Sequence, residues 1–211
     1  MEPQKGPCTV QLEFRRNVVC NGNEEAFQYL LNLEAKAVQK PKERLGVGIL
    51  LLGGPGAGKS TLARQMGSFF EPDNKREFLH QFTLTSRYNG WMANARFVFV
   101  DEVKPDKTVD PLLHSLVAED MMMVESKGAW HVARNRIKLY VASNQEDYDA
   151  PASGRRWATF RLGNVEREHD AYFQALWEDW ELRKGKEAYL DFLLRRDISG
   201  FDPLQRPAQF A

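Results

Sequence analysis

The sequence predicts an α/β fold with a parallel central sheet flanked by helices, and three observations carry that prediction. Residues 47–52, 97–100 and 139–142 are short apolar runs without polar alternation, as expected of strands buried on both faces. Each run stops on residues able to do chemistry: Gly53-Gly54, Asp101-Glu102 and Ser143-Asn144. Helical periodicity lies before, between and after them, the alternation that a parallel sheet requires.

Taking the chain in order, residues 24–39 place Phe27, Leu30, Leu31, Ala35 and Val38 at helical spacing, with Asn23 as a cap ahead of two acids. Pro41 and the charged run Lys42-Glu43-Arg44 end that helix before the strand at 47–52. A helix is expected from Lys59 to about Phe70, stopping before Pro72. Residues 78–84 read as a short strand, 87–92 as helical or irregular, 97–100 as a buried strand and 111–118 as a helix. Segments 121–125 and 131–138 flank Ser126-Lys127-Gly128-Ala129-Trp130, which predicts a β-hairpin with its tip near Lys127 and Gly128, inserted before the strand at 139–142. A strand at 157–162 and two helices, about 170–182 and 187–195, close the chain. The expected organisation is an N-terminal helical extension (1–45), an α/β core (46–165) and a C-terminal helical segment (166–211).

Bulk properties narrow the function classes. A chain of 211 residues suits one α/β domain. No apolar run approaches the ~18 residues of a membrane span, and no signal-like stretch follows Met1, so a cytoplasmic protein without a membrane partner is expected. Cys8 and Cys20 lack metal-ligand spacing and read as reduced thiols. A formal net charge of zero excludes a broad basic nucleic-acid footprint, so any grip on DNA is local. Residues 121–140 offer such a place, with Lys127, Arg134, Arg136 and Lys138 against Glu125 alone, although a solvated hairpin face would have the same composition.

Gly53-Gly54-Pro55-Gly56-Ala57-Gly58-Lys59-Ser60 satisfies G-x-x-x-x-G-K-[ST] between a buried strand and a helix, the context that marks a P-loop. Its glycines let backbone N–H groups face phosphate oxygens, with Thr61 continuing the cradle. Lys59 neutralises the β/γ-phosphates and the Ser60 hydroxyl ligates Mg²⁺, so ATP and Mg²⁺ are the expected ligands. Asp101, ending the strand at 97–100, is the second magnesium group, and Glu102 beside it polarises an attacking water, as hydrolysis requires. Asn144 can point at the γ-phosphate or the lytic water; a turn-forming Ser-Asn pair is the plainer reading. Arg155 or Arg156 can reach a neighbouring subunit's γ-phosphate, against the alternative of a surface ion pair. Lys127, Gly128 and His131 form a backbone-gripping tip. Trp130 either stacks on a base or anchors the hairpin to the domain, and anchoring is favoured because buried aromatics more often belong to a core.

The order of P-loop, Asp-Glu strand, basic hairpin, strand ending in Asn and Arg doublet resembles the superfamily 3 helicases of small DNA viruses, phages and plasmids. It is most similar to the helicase part of phage and poxvirus-type primase-helicases, through Val18-Val19-Cys20-Asn21-Gly22, the helix to Gln39-Lys40-Pro41, Phe99-Val100-Asp101-Glu102, Glu125-Ser126-Lys127-Gly128, Ala142-Ser143-Asn144 and Arg196-Asp197-Ile198-Ser199-Gly200-Phe201. That resemblance implies an AAA+-related ring motor, a hexamer with ATP at subunit interfaces that pulls single-stranded DNA. It implies Asn144 as sensor, Arg155 or Arg156 as the finger acting between subunits, and Lys127 on a DNA-tracking hairpin. A primase or replication-initiation protein is an implied partner. Members of that group carry a further domain ahead of the motor, so a separately encoded motor or a fragment of a longer polypeptide is expected. Two other readings share the P-loop: a nucleotide-switched ATPase whose hairpin binds a protein partner, and a small-molecule kinase, which has little use for an Asp-Glu pair and a basic hairpin.

Overall fold

A computed structural model describes residues 1–85, 89–126, 128–145, 147–148, 156–163 and 169–210. The chain opens with helix α1 (Thr9–Glu13), a π-helical turn (Phe14–Val19) and α2 (Glu24–Gln39). Strand β1 (Gly48–Leu52), α3 (Lys59–Gly67), β2 (Lys75–Phe78), α4 (Gln81–Leu84), β3 (Phe97–Val100) and α5 (Val109–Ala118) follow. Next come β4 (Met121–Ser126), β5 (Ala129–Arg134), β6 (Lys138–Ser143), β7 (Trp157–Arg161), α6 (His169–Leu182) and α7 (Gly185–Arg195).

Five strands form one all-parallel sheet in the order β2-β3-β6-β1-β7, while β4 and β5 pair with each other as a separate antiparallel ribbon. Every residue of β1, β3 and β6 is buried, because both sheet faces are covered. Period-2 alternation divides their side chains between two cores. Ile49, Leu51, Phe99, Tyr140 and Ala142 join the core under α2, α3, α6 and α7. Leu50, Leu52, Val100, Leu139 and Val141 join the core under α5 and the ribbon. The fold is therefore the expected one, of P-loop, AAA+-like type: a parallel sheet between helical layers, with a hairpin ahead of β6.

Local chemistry explains the boundaries. Asn23 Oδ1 accepts the Ala26 N–H at 2.9 Å and caps α2, with Glu24 and Glu25 in the first turn where the helix dipole favours acids. The N-terminal segment is tied to the phosphate-loop helix by buried polar groups. Arg15 donates to Glu34 (2.8 Å) on α2 and to Gln65 (3.2 Å) on α3, and the Tyr189 hydroxyl of α7 donates to Glu34. Among the described residues, no helix is long and apolar enough to cross a membrane.

Three expectations are corrected. The strand expected at 78–84 lies earlier, at β2, and residues 81–84 form the short helix α4. β2 is an edge strand whose Lys75, Arg76 and Glu77 are exposed, so it has no apolar run by which to be recognised. The hairpin's second arm ends at Arg134 instead of continuing to 138. Asn135 stops it by donating to Leu116 O and Glu119 O, both at 2.8 Å, and accepting from Ile137 N at 3.0 Å, which also closes the C-terminal end of α5. Lys138 is consequently no hairpin cation. It starts β6, fully buried, its ammonium donating to Pro41 O (2.7 Å) and Arg136 O (3.1 Å), and burial, reinforced by Arg96, pulls its pKa down to about 7.

Candidate functional site

The strand order brings three distant segments to one rim. β6 lies between β1 and β3, so the residue after it, Asn144, emerges between the loop that follows β1 and the acids that follow β3. Lys59, the first residue of α3, turns its ammonium back under the loop, donating to Gly53 O at 2.6 Å, Gly54 O at 2.7 Å and Asn144 Oδ1 at 2.8 Å. Ser60 Oγ donates to Asp101 Oδ2 at 2.7 Å, and the other carboxylate oxygen of Asp101 accepts the Glu102 N–H at 2.9 Å. Burial lowers the pKa of Lys59, and the neighbouring Asp101 opposes that shift.

These groups line one pocket of about 370 Å³, formed by residues 55–61 together with Asp101, Glu102, Asn144 and Phe173. Gly58 has φ +96, and a Cβ there would lie 3.0 Å from ring carbons of Phe14 and Phe173, so a glycine is required both for the turn and for the approach of the rings. Glu102 is one of three non-glycine residues with positive φ, at 52°, among the described residues. A left-handed glutamate at a strand exit beside a phosphate loop is a backbone outlier of the kind that gathers at working sites. Its Oε2 lies 3.1 Å from His80 Nδ1. A larger cavity, about 490 Å³, lies between α3 and the β2-β3 edge, lined by Ala63, Arg64, Glu77 and Phe99, and carries none of the motif residues. Chemistry rather than volume singles out the smaller one.

Other expected site residues lie elsewhere. Arg156 precedes β7 and donates to Gly46 O at 3.4 Å, at the amino ends of the parallel strands β1 and β7. Five residues of strand at about 3.3 Å each separate that end from the loop rim, so Arg156 does not reach the pocket of its own chain. Arg155 and Lys127 lie outside the described residues. Gly128 sits at the hairpin turn with φ +81, and His131 is exposed opposite Val124. Asn89 clamps the ribbon through Met123 O (3.1 Å) and Glu125 N (2.6 Å). The anchoring role favoured for Trp130 is overturned: the residue is 62% exposed, beside the exposed Met123 and Val132, while Met122 and Val124 are buried on the other ribbon face. Sequence reasoning passed over His80 and Phe173, whose local patterns carry no signal of a site.

Comparison with known proteins agrees with this architecture. No curated protein matches the sequence. Three apo structures of the NrS-1 C-terminal region superpose on it with TM-scores of 0.73, 0.71 and 0.69 at 20, 22 and 21% identity. They cover 94, 93 and 93% of this chain, which spans only 48, 48 and 47% of theirs, about half their length. At that identity the likeness is one of fold. A family model described as a family of unknown function, DUF5906, matches residues 51–156, from β1 and the phosphate loop through the Asp-Glu pair, the hairpin and Asn144 to Arg156. With half of its length so matched, the chain belongs to the DUF5906 family.

Proposed function

We propose that this chain is an ATP-hydrolysing motor, a DNA helicase or translocase that works as a ring on single-stranded DNA during replication of a virus, phage or mobile element. The observation that carries the reading is the meeting, on one rim, of a buried ammonium, a hydroxyl-carboxylate pair and an asparagine amide. In this reading residues 46–165 are the motor core, and 1–45 and 166–211 are helical segments packed behind it.

The residues fit the ligands they would hold. The N–H groups of residues 53–61 and the start of α3 offer donors to phosphate oxygens. Lys59 already satisfies three acceptors around the loop, and phosphate oxygens are stronger partners for the same ammonium. Ser60 Oγ and Asp101 are hard oxygen donors of the kind magnesium accepts, with substrate oxygens and water completing its shell. When bound, magnesium neutralises charge developing on the transferred phosphoryl group. Glu102 takes the proton of the attacking water, and His80 Nδ1 lies 3.1 Å from its Oε2. Lys59 fixes the Asn144 amide with Oδ1 inward, leaving Nδ2 to donate to the γ-phosphate or the water. Arg156, too far from its own pocket, or Arg155 serves a neighbour's, a contribution worth on the order of 10³ to 10⁵ in rate. Lys127, Gly128 and His131 contact the DNA backbone, and a primase or replication-initiation protein is the natural partner in replication.

The test is ATP hydrolysis by the purified chain with and without a single-stranded oligonucleotide, together with native mass in a non-hydrolysable ATP analogue. Stimulation by DNA and a sixfold ring are expected. A second reading, a nucleotide-switched ATPase whose hairpin binds a protein, is favoured by the exposed Met121, Met123, Trp130 and Val132 on the ribbon. Hydrolysis indifferent to DNA would select it.

A further inference from the structure

The pocket is chemically lopsided. Lys59, Asn144, Asp101 and Glu102 mark one end, where the β3 and β6 rims meet the start of the loop. Against the loop at Gly58 stands Phe173 of α6, the one aromatic side chain among the described lining residues and the one contribution from the C-terminal helices. We infer that Phe173 is the nucleoside platform of this site, the ring against which the base of a bound nucleoside triphosphate packs.

Three observations support it. Phe173 touches the loop backbone itself: Cε1 and Cζ would lie 3.0 Å from a Cβ on Gly58, so the ring sits where the loop turns into α3. The ring is held in place, edge-to-face with Phe14 (centroids 6.2 Å apart, 79°) and with Tyr172 (5.4 Å, 89°). A preset ring presents its surface to a ligand at little conformational cost. Phe173 is also only partly buried, whereas Phe14 behind it is fully buried. Phe173 therefore packs on the core and still leaves surface on the pocket.

The direction of the ligand follows. A triphosphate with its terminal phosphate at Lys59 and Asn144 runs along the loop toward Gly58 and Thr61, which places its α-phosphate and nucleoside on the Phe173 side. The site is thereby matched to a nucleoside triphosphate and not to an inorganic polyphosphate, which has nothing to set against a ring. This assignment rests on the triphosphate reading above and narrows its ligand class.

Equilibrium titration of the full chain with ATP and, separately, with inorganic tripolyphosphate, both with magnesium, tests it. Phe173→Ala is expected to weaken ATP by about tenfold or more, the usual effect of removing an aromatic partner from a base, and to leave tripolyphosphate within about twofold. Phe173→Trp restores ATP binding. Phe173→Leu keeps apolar bulk against Phe14 if the alanine variant fails to fold, and it too should lose ATP selectively. Equal loss of both ligands, or unchanged ATP affinity, overturns the platform. If the unaltered chain binds neither ligand, the triphosphate reading itself fails and the platform falls with it.

Discussion

Along the carboxyl rim of the sheet Lys59 is engaged with two carbonyls and Asn144, and Asp101 with Ser60 and a backbone N–H. Across the outer face of the β4-β5 ribbon, in contrast, Met121, Met123, Trp130 and Val132 are each more than half exposed. The two regions differ because a parallel strand buried on both faces leaves its end residue little choice of direction, so rim side chains converge. A two-stranded ribbon lays only part of its surface against the domain, so packing leaves some of its side chains unconstrained. Lys59 and Asp101 on the rim are held in position before any ligand arrives, while Met121, Met123, Trp130 and Val132 make no comparable commitment to the fold.

The largest expected break in this contrast is Lys59→Ala. Loss of an ammonium that bonds phosphate directly should weaken ATP on the order of a hundredfold or more in calorimetric titration. Retained affinity would mean that the rim does not hold a triphosphate. The two ribbon faces provide the next test. Met122→Ala, on the inner face, should cost about 2–5 kcal/mol in urea unfolding, as core truncations do. Met123→Ala, one residue away on the outer face, should stay within about 0.5 kcal/mol. Similar losses from both would show that the outer face is also part of the core.

A smaller effect concerns Lys138, whose pKa falls from 10.5 to about 7 on folding. Between those values the unfolded chain binds a proton that the folded chain has released, so this residue makes stability rise with pH across that window. Below it, the penalty of burying the charge is fully present. Lys138→Met removes the dependence, so the unfolding free energy of the unaltered chain minus that of the variant should climb from pH 7 toward 10.5. A flat difference would show that Lys138 keeps its proton throughout, stabilised by Pro41 O and Arg136 O.

What the sequence determined by itself was everything encoded locally. Apolar runs without alternation located β1, β3 and β6, Asn23 before two acids marked the start of α2, and the glycine spacing before Lys59 defined the loop. The hairpin was legible for the same reason, with Gly128 at its turn. Tertiary structure alone decided what depends on neighbours far away in the chain. The insertion of β6 between β1 and β3 brings Asn144 to Lys59, across 85 residues. Polar β2 becomes a strand because β3 offers it an edge, Lys138 is buried because Asn135 ends the ribbon early, and Trp130 is exposed because the other ribbon face meets the core. Phe173 reaches the pocket, and His80 reaches Glu102, from segments whose sequence patterns record only helix or turn. Periodicity reports which way a side chain faces on its own element; which element it meets is set by how the sheet is ordered and how the helices pack over it.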